Sequence, residues 1–258
     1  MKVLAIGDVV SSQGCEYLRK TLPSLKAELG ADIVIVNGEN SAVGNGITPK
    51  SADYILDCGA DVITLGNHGL RRNEIYNYLD NETKPIIRPV NYHESAPGRG
   101  YIIVDKGRFQ AAVINLQGSA FMEPINNPFS VIDGVIDGIK ALGVNVIIVD
   151  FHAEATSEKK ALGFYLDGRV SAVYGTHTHI QTSDNQILPN KTGYVTDIGM
   201  TGPYYSVLGV DASVVIKKFR TGLPVRFTNP DGPCVLEGCL FEIDEKTGEA
   251  LGTELIRR

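Results

Sequence analysis

The sequence predicts an α/β protein of four layers, in which two mixed β-sheets pack face to face with helices on the outside. Three observations predict it. The first half alternates short β-branched apolar runs with segments of helical periodicity. Hairpin-like pairs appear in the second half. No linker, internal repeat or low-complexity tract divides the 258 residues, so one domain spanning 1–258 is expected.

The elements follow in order. Val3–Ile6 reads as a strand. Cys15–Leu29 reads as a helix because Leu18, Leu22, Leu25 and Leu29 recur at helical spacing. Ile33–Val36 is a buried strand, and Ser51–Cys58 a helix opened near Thr48-Pro49, where proline is tolerated. Val62–Leu65 is a strand, Asn73–Asn81 a helix, and Pro85–Arg88 begins a further pair of elements that runs up to Gly100. Tyr101–Val104 and Gln110–Asn115 flank the turn Lys106-Gly107-Arg108. Val131–Leu142 is helical, Asn145–Val149 a strand, Glu154–Leu166 a helix and Val170–Tyr174 a strand. Thr196–Gly202 reads as a loop. Ala212–Phe219 is a helix capped by Asp211 and closed by Gly222. Cys234–Ile243 and Gly252–Ile256 form a closing hairpin that turns at Asp244–Glu249.

Composition excludes several functions. The net charge of −6 and the lack of any dense basic run disfavour binding to long nucleic acid, which needs clustered Lys and Arg. A small anionic substrate stays compatible if metal ions supply the positive charge. No apolar stretch approaches a membrane span. The run after Met1-Lys2 is too short for a secretory signal. Cys15, Cys58, Cys234 and Cys239 form no C-x-x-C pair, and the last two read as small apolar residues near a strand. A cytoplasmic, reduced protein is expected. A homo-oligomer is compatible with all of this.

Polar residues collect at five strand ends: Gly7-Asp8, Asn37-Gly38-Glu39-Asn40, Gly66-Asn67-His68, Asp150-Phe151-His152 and Gly175-Thr176-His177-Thr178-His179. In α/β folds ligands bind outside the carboxyl ends of strands. Four of the five histidines sit at these ends and only His93 does not, which matters because imidazole is the commonest metal ligand among side chains. His177 and His179 reach one site only if the backbone turns between them. Mixed carboxylate, imidazole and amide ligands suit Fe, Mn, Zn or Ni in a catalytic site rather than a structural zinc site. Seven candidates, Asp8, Glu39, Asn40, Asn67, His152, His177 and His179, are too many for one ion. Each also has an ordinary reading: Asp8 as a helix cap, Glu39-Asn40 as a loop lining, Asn67 in a left-handed turn, His152 as a hydrogen-bonded structural histidine.

At these same residues the chain resembles the calcineurin-like metallophosphoesterases. The likeness is closer to one bacterial branch, the YmdB-like 2′,3′-cyclic-nucleotide phosphodiesterases. Asp150–Lys159, Gly175–Thr182, Thr196–Pro203 and Thr221–Phe227 resemble that branch, and the resemblance spans nearly the whole chain. The wider superfamily opens with Asp-x-His, whereas Val9-Val10 follow Asp8 here. In the branch, the Asn of Gly-Glu-Asn stands in for that His, and Glu replaces the usual bridging Asp.

The resemblance implies two ions, iron with manganese as the alternative. One would be held by Asp8, Glu39, Asn40 and His179, the other by Glu39, Asn67, His152 and His177, with Glu39 bridging. The expected reaction is in-line attack by a metal-bridging hydroxide on a 2′,3′-cyclic nucleotide or other phosphodiester. His68, beside Asn67 but not needed as a ligand, is the candidate general acid; its other reading is a residue that orients a metal ligand. The alternatives are a phosphomonoesterase or nucleotidase of the same superfamily, and a regulatory protein that binds nucleotide through its metals. Two departures stand out. Gly69-Leu70-Arg71 follows His68 where the family has Thr and an aromatic residue, and Gln13-Gly14-Cys15 stands where the first loop has Pro-Gly-Arg.

Overall fold

The computed structural model describes residues 1–258. Its first sheet holds β1 (Lys2–Ile6), β2 (Asp8–Val9), β3 (Ile33–Asn37), β4 (Val62–Thr64), β11 (Met200–Pro203), β12 (Cys234–Ile243) and β13 (Ala250–Arg257). The order is β2-β11-β12-β1-β3-β4, with β13 paired to β12. The second sheet holds β5 (Tyr101–Asp105), β6 (Gln110–Gln117), β7 (Val146–His152), β8 (Ala172–Thr176), β9 (Gln186–Ile187) and β10 (Gly193–Val195), in the order β5-β6-β7-β8-β10-β9. Both are mixed: β1, β3 and β4 run parallel while β12 is antiparallel to β1; β6, β7 and β8 run parallel while β5 is antiparallel to β6.

Strand periodicity explains the four layers. Successive side chains point to opposite faces, and the buried residues divide by parity. Val3 and Ala5 of β1, Ile33 and Ile35 of β3, Val62 of β4, Ala111 and Val113 of β6, and Val146 and Ile148 of β7 share the core between the sheets. Leu4, Ile6, Val34 and Val36 face the other way, onto α1 (Ser11–Leu29) and α2 (Pro49–Asp57). Ala112, Ile114, Ile147 and Val149 face α4 (Pro128–Ala141) and α5 (Thr156–Tyr165). Central strands buried on both faces therefore read as unbroken apolar runs. The remaining helices are α3 (Tyr76–Leu79) and α6 (Ala212–Thr221). No helix is long and apolar enough to cross a membrane.

Local chemistry sets the ends. Thr48 caps α2 and forms a reciprocal box with Ser51, with Pro49 in the first turn. Asp211 caps α6 by accepting from the Ser213 and Val214 amides. Gly222 closes α6 at φ 67°, the left-handed conformation that glycine adopts freely.

Several expectations are corrected. The helix expected over Asn73–Asn81 is a 3₁₀ turn, Asn73–Ile75, followed by the single turn of α3. Pro85–Arg88 forms no strand; Ile86 makes one isolated bridge to Ile63, as expected beside a proline that cannot donate to a ladder. Thr196–Gly202 is a loop only as far as Gly199. Met200 and Thr201 pair in parallel with Asp8 and Val9, extending the sheet to the site. The expected first loop at Gln13-Gly14-Cys15 is the opening of α1, and Cys15 is buried. Cys234 and Cys239 both lie in β12.

Candidate metal centre

The same parity that builds the core between the sheets builds the site above it. Continuing the inward-facing positions past the apolar residues gives Asn37 on β3, Thr64 on β4, Asp150 and His152 on β7, and Thr176 on β8. All five are buried, and they meet where the carboxyl ends of the two sheets converge. Asp150 is the hub. It accepts from Thr64 Oγ1, from Thr176 Oγ1 at 2.7 Å and from Asn37 Nδ2 at 3.4 Å. With its hydroxyl hydrogen on Asp150, Thr176 Oγ1 is left to accept from His152 Nδ1 at 2.9 Å. That keeps a hydrogen on Nδ1 of His152 and leaves Nε2, the atom turned toward the other candidates, as the one that would bind a metal. Burial pushes Asp150 up to about 7, against the Thr64 hydroxyl and His152.

All seven ligand candidates form one connected cluster. Asp8 Oδ1 lies 3.4 Å from His179 Nε2. His179 Nε2 lies 3.5 Å from Asn40 Nδ2, which lies 2.9 Å from Glu39 Oε1. Glu39 Oε1 is 3.3 Å from His152 Nε2. His152 Nε2 is 3.1 Å from Asn67 Oδ1 and 3.0 Å from His177 Nδ1. Glu39 thus stands in the middle, with Asp8, Asn40 and His179 on one side and Asn67, His152 and His177 on the other. Glu39, His152 and His177 place ligand atoms within 4.8 Å of one another.

Two of the ordinary readings do not hold. The cap position of α1 is Val10, not Asp8. Asn67 is not in a left-handed conformation, but His177 and His179 are, at φ 96° and 62°. Those two angles are the backbone turn that lets both imidazoles face one site. Gly66 allows the close approach: a Cβ there would lie 2.2 Å from His152 Cδ2.

The electrostatics fit a cation. Asp8 and Glu39 are both fully buried, and a buried carboxylate is costly unless it is compensated. Asp8 Oδ1 has no hydrogen-bond partner. Burial alone would raise Glu39, yet His152 and His68 hold it well below the usual carboxylate range. Burial opposes charge on His152 too, but Glu39, Asp8 and Asp150 raise it to about 9. A cation held by Glu39 and His152 would take the place of that proton. Burial and the neighbouring His152 push His177 down to about 4, so its ring is neutral and its nitrogen free to bind a metal. One candidate is turned the wrong way: Asn40 offers its NH₂, not its oxygen, to Glu39 and His179. Ligation by Asn40 requires the amide to turn over.

His68 stands apart from that chain of contacts. Its backbone N–H donates to Glu39 Oε2 at 2.9 Å, and its Nδ1 lies 2.8 Å from Asn40 Oδ1 and 3.3 Å from Glu39 Oε1. The ring is partly exposed and Nε2 is left free. The unusual Gly69-Leu70-Arg71 completes a tight turn, in which Gly69 N–H donates to the Gly66 carbonyl and Arg71 N–H to that of His68. Leu70 packs on the outer core of the first sheet.

Sequence periodicity missed two supports of the site. The first is Glu154, read as helix but lying before α5, whose Oε2 is 3.0 Å from His177 Nε2. It orients the ring so that Nδ1 faces His152. Removing such a partner typically lowers metal affinity about 10–100-fold. Glu154→Ala is therefore expected to weaken metal binding by that factor, read by calorimetric titration of the metal-free protein; unchanged affinity would remove Glu154 from the site.

The second is the pair Lys159–Asp197, with Nζ 2.6 Å from Oδ2 and both side chains buried. Asp197 Oδ2 also accepts from the Thr178 hydroxyl at 2.6 Å and the Thr178 amide at 3.2 Å, and Oδ1 accepts from Gly199 N–H at 2.9 Å. The pair thus fixes the residue between His177 and His179. Truncating one partner of a buried pair costs about 3–5 kcal/mol. Lys159→Met is expected to lose that much in denaturant unfolding; a loss below about 1 kcal/mol would show the pair to be dispensable.

Comparison with known proteins agrees with this architecture. A family model described as YmdB-like protein matches residues 4–256. The 2′,3′-cyclic-nucleotide 2′-phosphodiesterase of Bacillus subtilis (strain 168) is 47% identical over 256 residues, covering 99% of this chain and 96% of its own. The crystal structure of a hypothetical protein from Thermus thermophilus matches with a TM-score of 0.93 at 36% identity, over 100% of this chain and 99% of its own. A putative 5′-nucleotidase from Staphylococcus aureus shares the fold at a TM-score of 0.62 and 13% identity, over 99% of this chain and 54% of its own. The chain belongs to the YmdB-like family, within the metallophosphoesterase fold.

Proposed function

We propose that the protein is a dinuclear-metal phosphodiesterase that hydrolyses 2′,3′-cyclic nucleotides and other phosphodiesters. The observation that carries the reading is the position of Glu39, with Asp8, Asn40 and His179 to one side and Asn67, His152 and His177 to the other. A carboxylate so placed serves both groups. The mix of carboxylate, imidazole and amide donors suits Fe, Mn, Zn or Ni, and the family resemblance implies iron or manganese. Two such ions supply Lewis acidity for the attacking water and neutralise the phosphoryl oxygens.

The chain's own residues do the rest. His152 is held in its binding tautomer by Thr176, His177 by Glu154, and His179 by donation from Nδ1 to the Leu208 carbonyl at 3.1 Å. His68 is held through Nδ1 by Asn40 Oδ1 and Glu39 Oε1, and Nε2, the free nitrogen, gives its proton to the departing ribose oxygen. The 2′,3′-cyclic substrate is that of the Bacillus subtilis relative by its name. The test is turnover of 2′,3′-cyclic AMP and bis-p-nitrophenyl phosphate by protein loaded with Mn²⁺ or Fe²⁺. Release from both supports the proposal. No release from either, with metal bound, would favour a nucleotide-binding regulator instead.

A further inference from the structure

A cavity of about 590 Å³ opens beside Asn67, within the range that takes a small-molecule ligand. Its most buried lining residue is Gln117, the last residue of β6. Gln117 keeps the inward parity of Ala111 and Val113 and stands in register with His152 on β7. The deep end of the cavity therefore lies beside two metal-ligand candidates, His152 and Asn67.

Gln117 is held on both its backbone and its side chain. The fully buried Asn91 side chain accepts from the Gln117 amide at 3.0 Å and donates to its carbonyl at 2.8 Å. The Tyr92 hydroxyl donates to Gln117 Oε1 at 2.8 Å and lies 3.1 Å from the Gly66 carbonyl. Gly66 precedes Asn67, so the same tyrosine ties Gln117 to the strand end that carries a ligand candidate. Only Nε2 is left. The residue is 1% exposed, and Nε2 has no partner in the protein. Buried polar groups are otherwise paired, because an unmet buried donor costs stability. With the other polar atoms engaged, Nε2 is what Gln117 offers to the cavity it lines.

Charge narrows the ligand. No lysine or arginine lines the cavity, and its one carboxylate is the exposed Glu123 at the rim. Such a lining suits a neutral group rich in hydroxyls, to which an amide donates and from which a carboxylate accepts. It repels a second phosphate.

We propose that the cavity holds the nucleoside of the substrate, that Gln117 Nε2 donates to a ribose oxygen, and that Glu123 selects a nucleoside free of further phosphate. The inference rests on the phosphodiesterase reading and deepens it. In a cyclic nucleotide the ribose adjoins the phosphate, as Gln117 adjoins the ligand candidates. The bonds from Asn91 and Tyr92 fix the amide in advance, so binding orders little new chain.

The experiment reads binding rather than turnover. Manganese-loaded wild type, Gln117→Met and Glu123→Gln are titrated calorimetrically with inorganic phosphate, 3′-AMP and adenosine 3′,5′-bisphosphate. Methionine keeps the length of the side chain, and the Tyr92 hydroxyl can still donate to the Gly66 carbonyl, so Gln117→Met is expected to fold, as circular dichroism checks. Its affinity for 3′-AMP is expected to fall about 3- to 10-fold, the worth of one hydrogen bond, with the affinity for phosphate unchanged. Wild type is expected to bind the bisphosphate more weakly than 3′-AMP, and Glu123→Gln to narrow that gap by about 2- to 5-fold. Glu123 is exposed, so this second arm decides the matter even where Gln117→Met loses the fold. An unchanged affinity of Gln117→Met for 3′-AMP, an equal fall for phosphate, or no discrimination by wild type against the bisphosphate would overturn the subsite. Absence of 2′,3′-cyclic AMP turnover by a wild type that shows these binding differences refutes the phosphodiesterase reading and leaves the nucleoside subsite standing.

Discussion

His68→Ala is expected to keep its full metal content and lose about 10²–10⁴-fold in kcat, the usual contribution of a general acid. The two halves of this expectation come from different observations. Metal should stay because His68 contributes no atom to the chain of contacts from Asp8 through Glu39 to His177; it touches that chain only through Asn40 and Glu39. Rate should fall because Nε2 is the one imidazole nitrogen at the site with no protein partner. The loss should be smaller for substrates with a good leaving group. Bis-p-nitrophenyl phosphate releases a weakly basic phenolate that needs little protonation, whereas the ribose oxygen of a cyclic nucleotide needs it fully. A loss of equal size for both substrates, or a loss of metal, would assign His68 to the orientation of a ligand instead.

Glu39→Gln is expected to be the most damaging single change. The amide keeps the shape of the side chain but removes the charge that both groups of candidates share. Metal content should fall below two ions per chain. The lost charge stabilisation of several kcal/mol corresponds to about 10³-fold or more in rate. The fold should survive, because Glu39 lies at the end of β3 above the apolar core, and its contacts are to the other site residues. Circular dichroism and metal analysis of the same preparation separate these outcomes. Retention of two ions would show that another residue bridges.

Much of this site was legible in the sequence because it depends on short-range rules. A strand buried on both faces must alternate between two cores, so the polar residue that ends an apolar run lies at the sheet edge. Gly7-Asp8, Gly66-Asn67 and Gly175-Thr176-His177 are readable for that reason. The grouping of seven ligands around Glu39 comes from family resemblance, not from periodicity. What stayed hidden depends on tertiary approach. Glu154 looks like the first residue of a helix, because its register fits. Only the fold brings it to His177. Lys159 and Asp197 both lie in segments that carry the family resemblance, but their pairing is a consequence of α5 lying against the loop before β11. The two-residue strand β2 gives no periodic signal at all, yet its pairing with β11 fixes Asp8.

The proposed function turns on one carboxylate, Glu39, organising two metal ions. The most direct measurement is metal stoichiometry per chain in protein purified anaerobically, made on wild type and Glu39→Gln side by side. Two ions per wild-type chain, iron or manganese, are expected, and fewer in the variant. A single ion in wild type, or two ions kept by the variant, would contradict that role for Glu39.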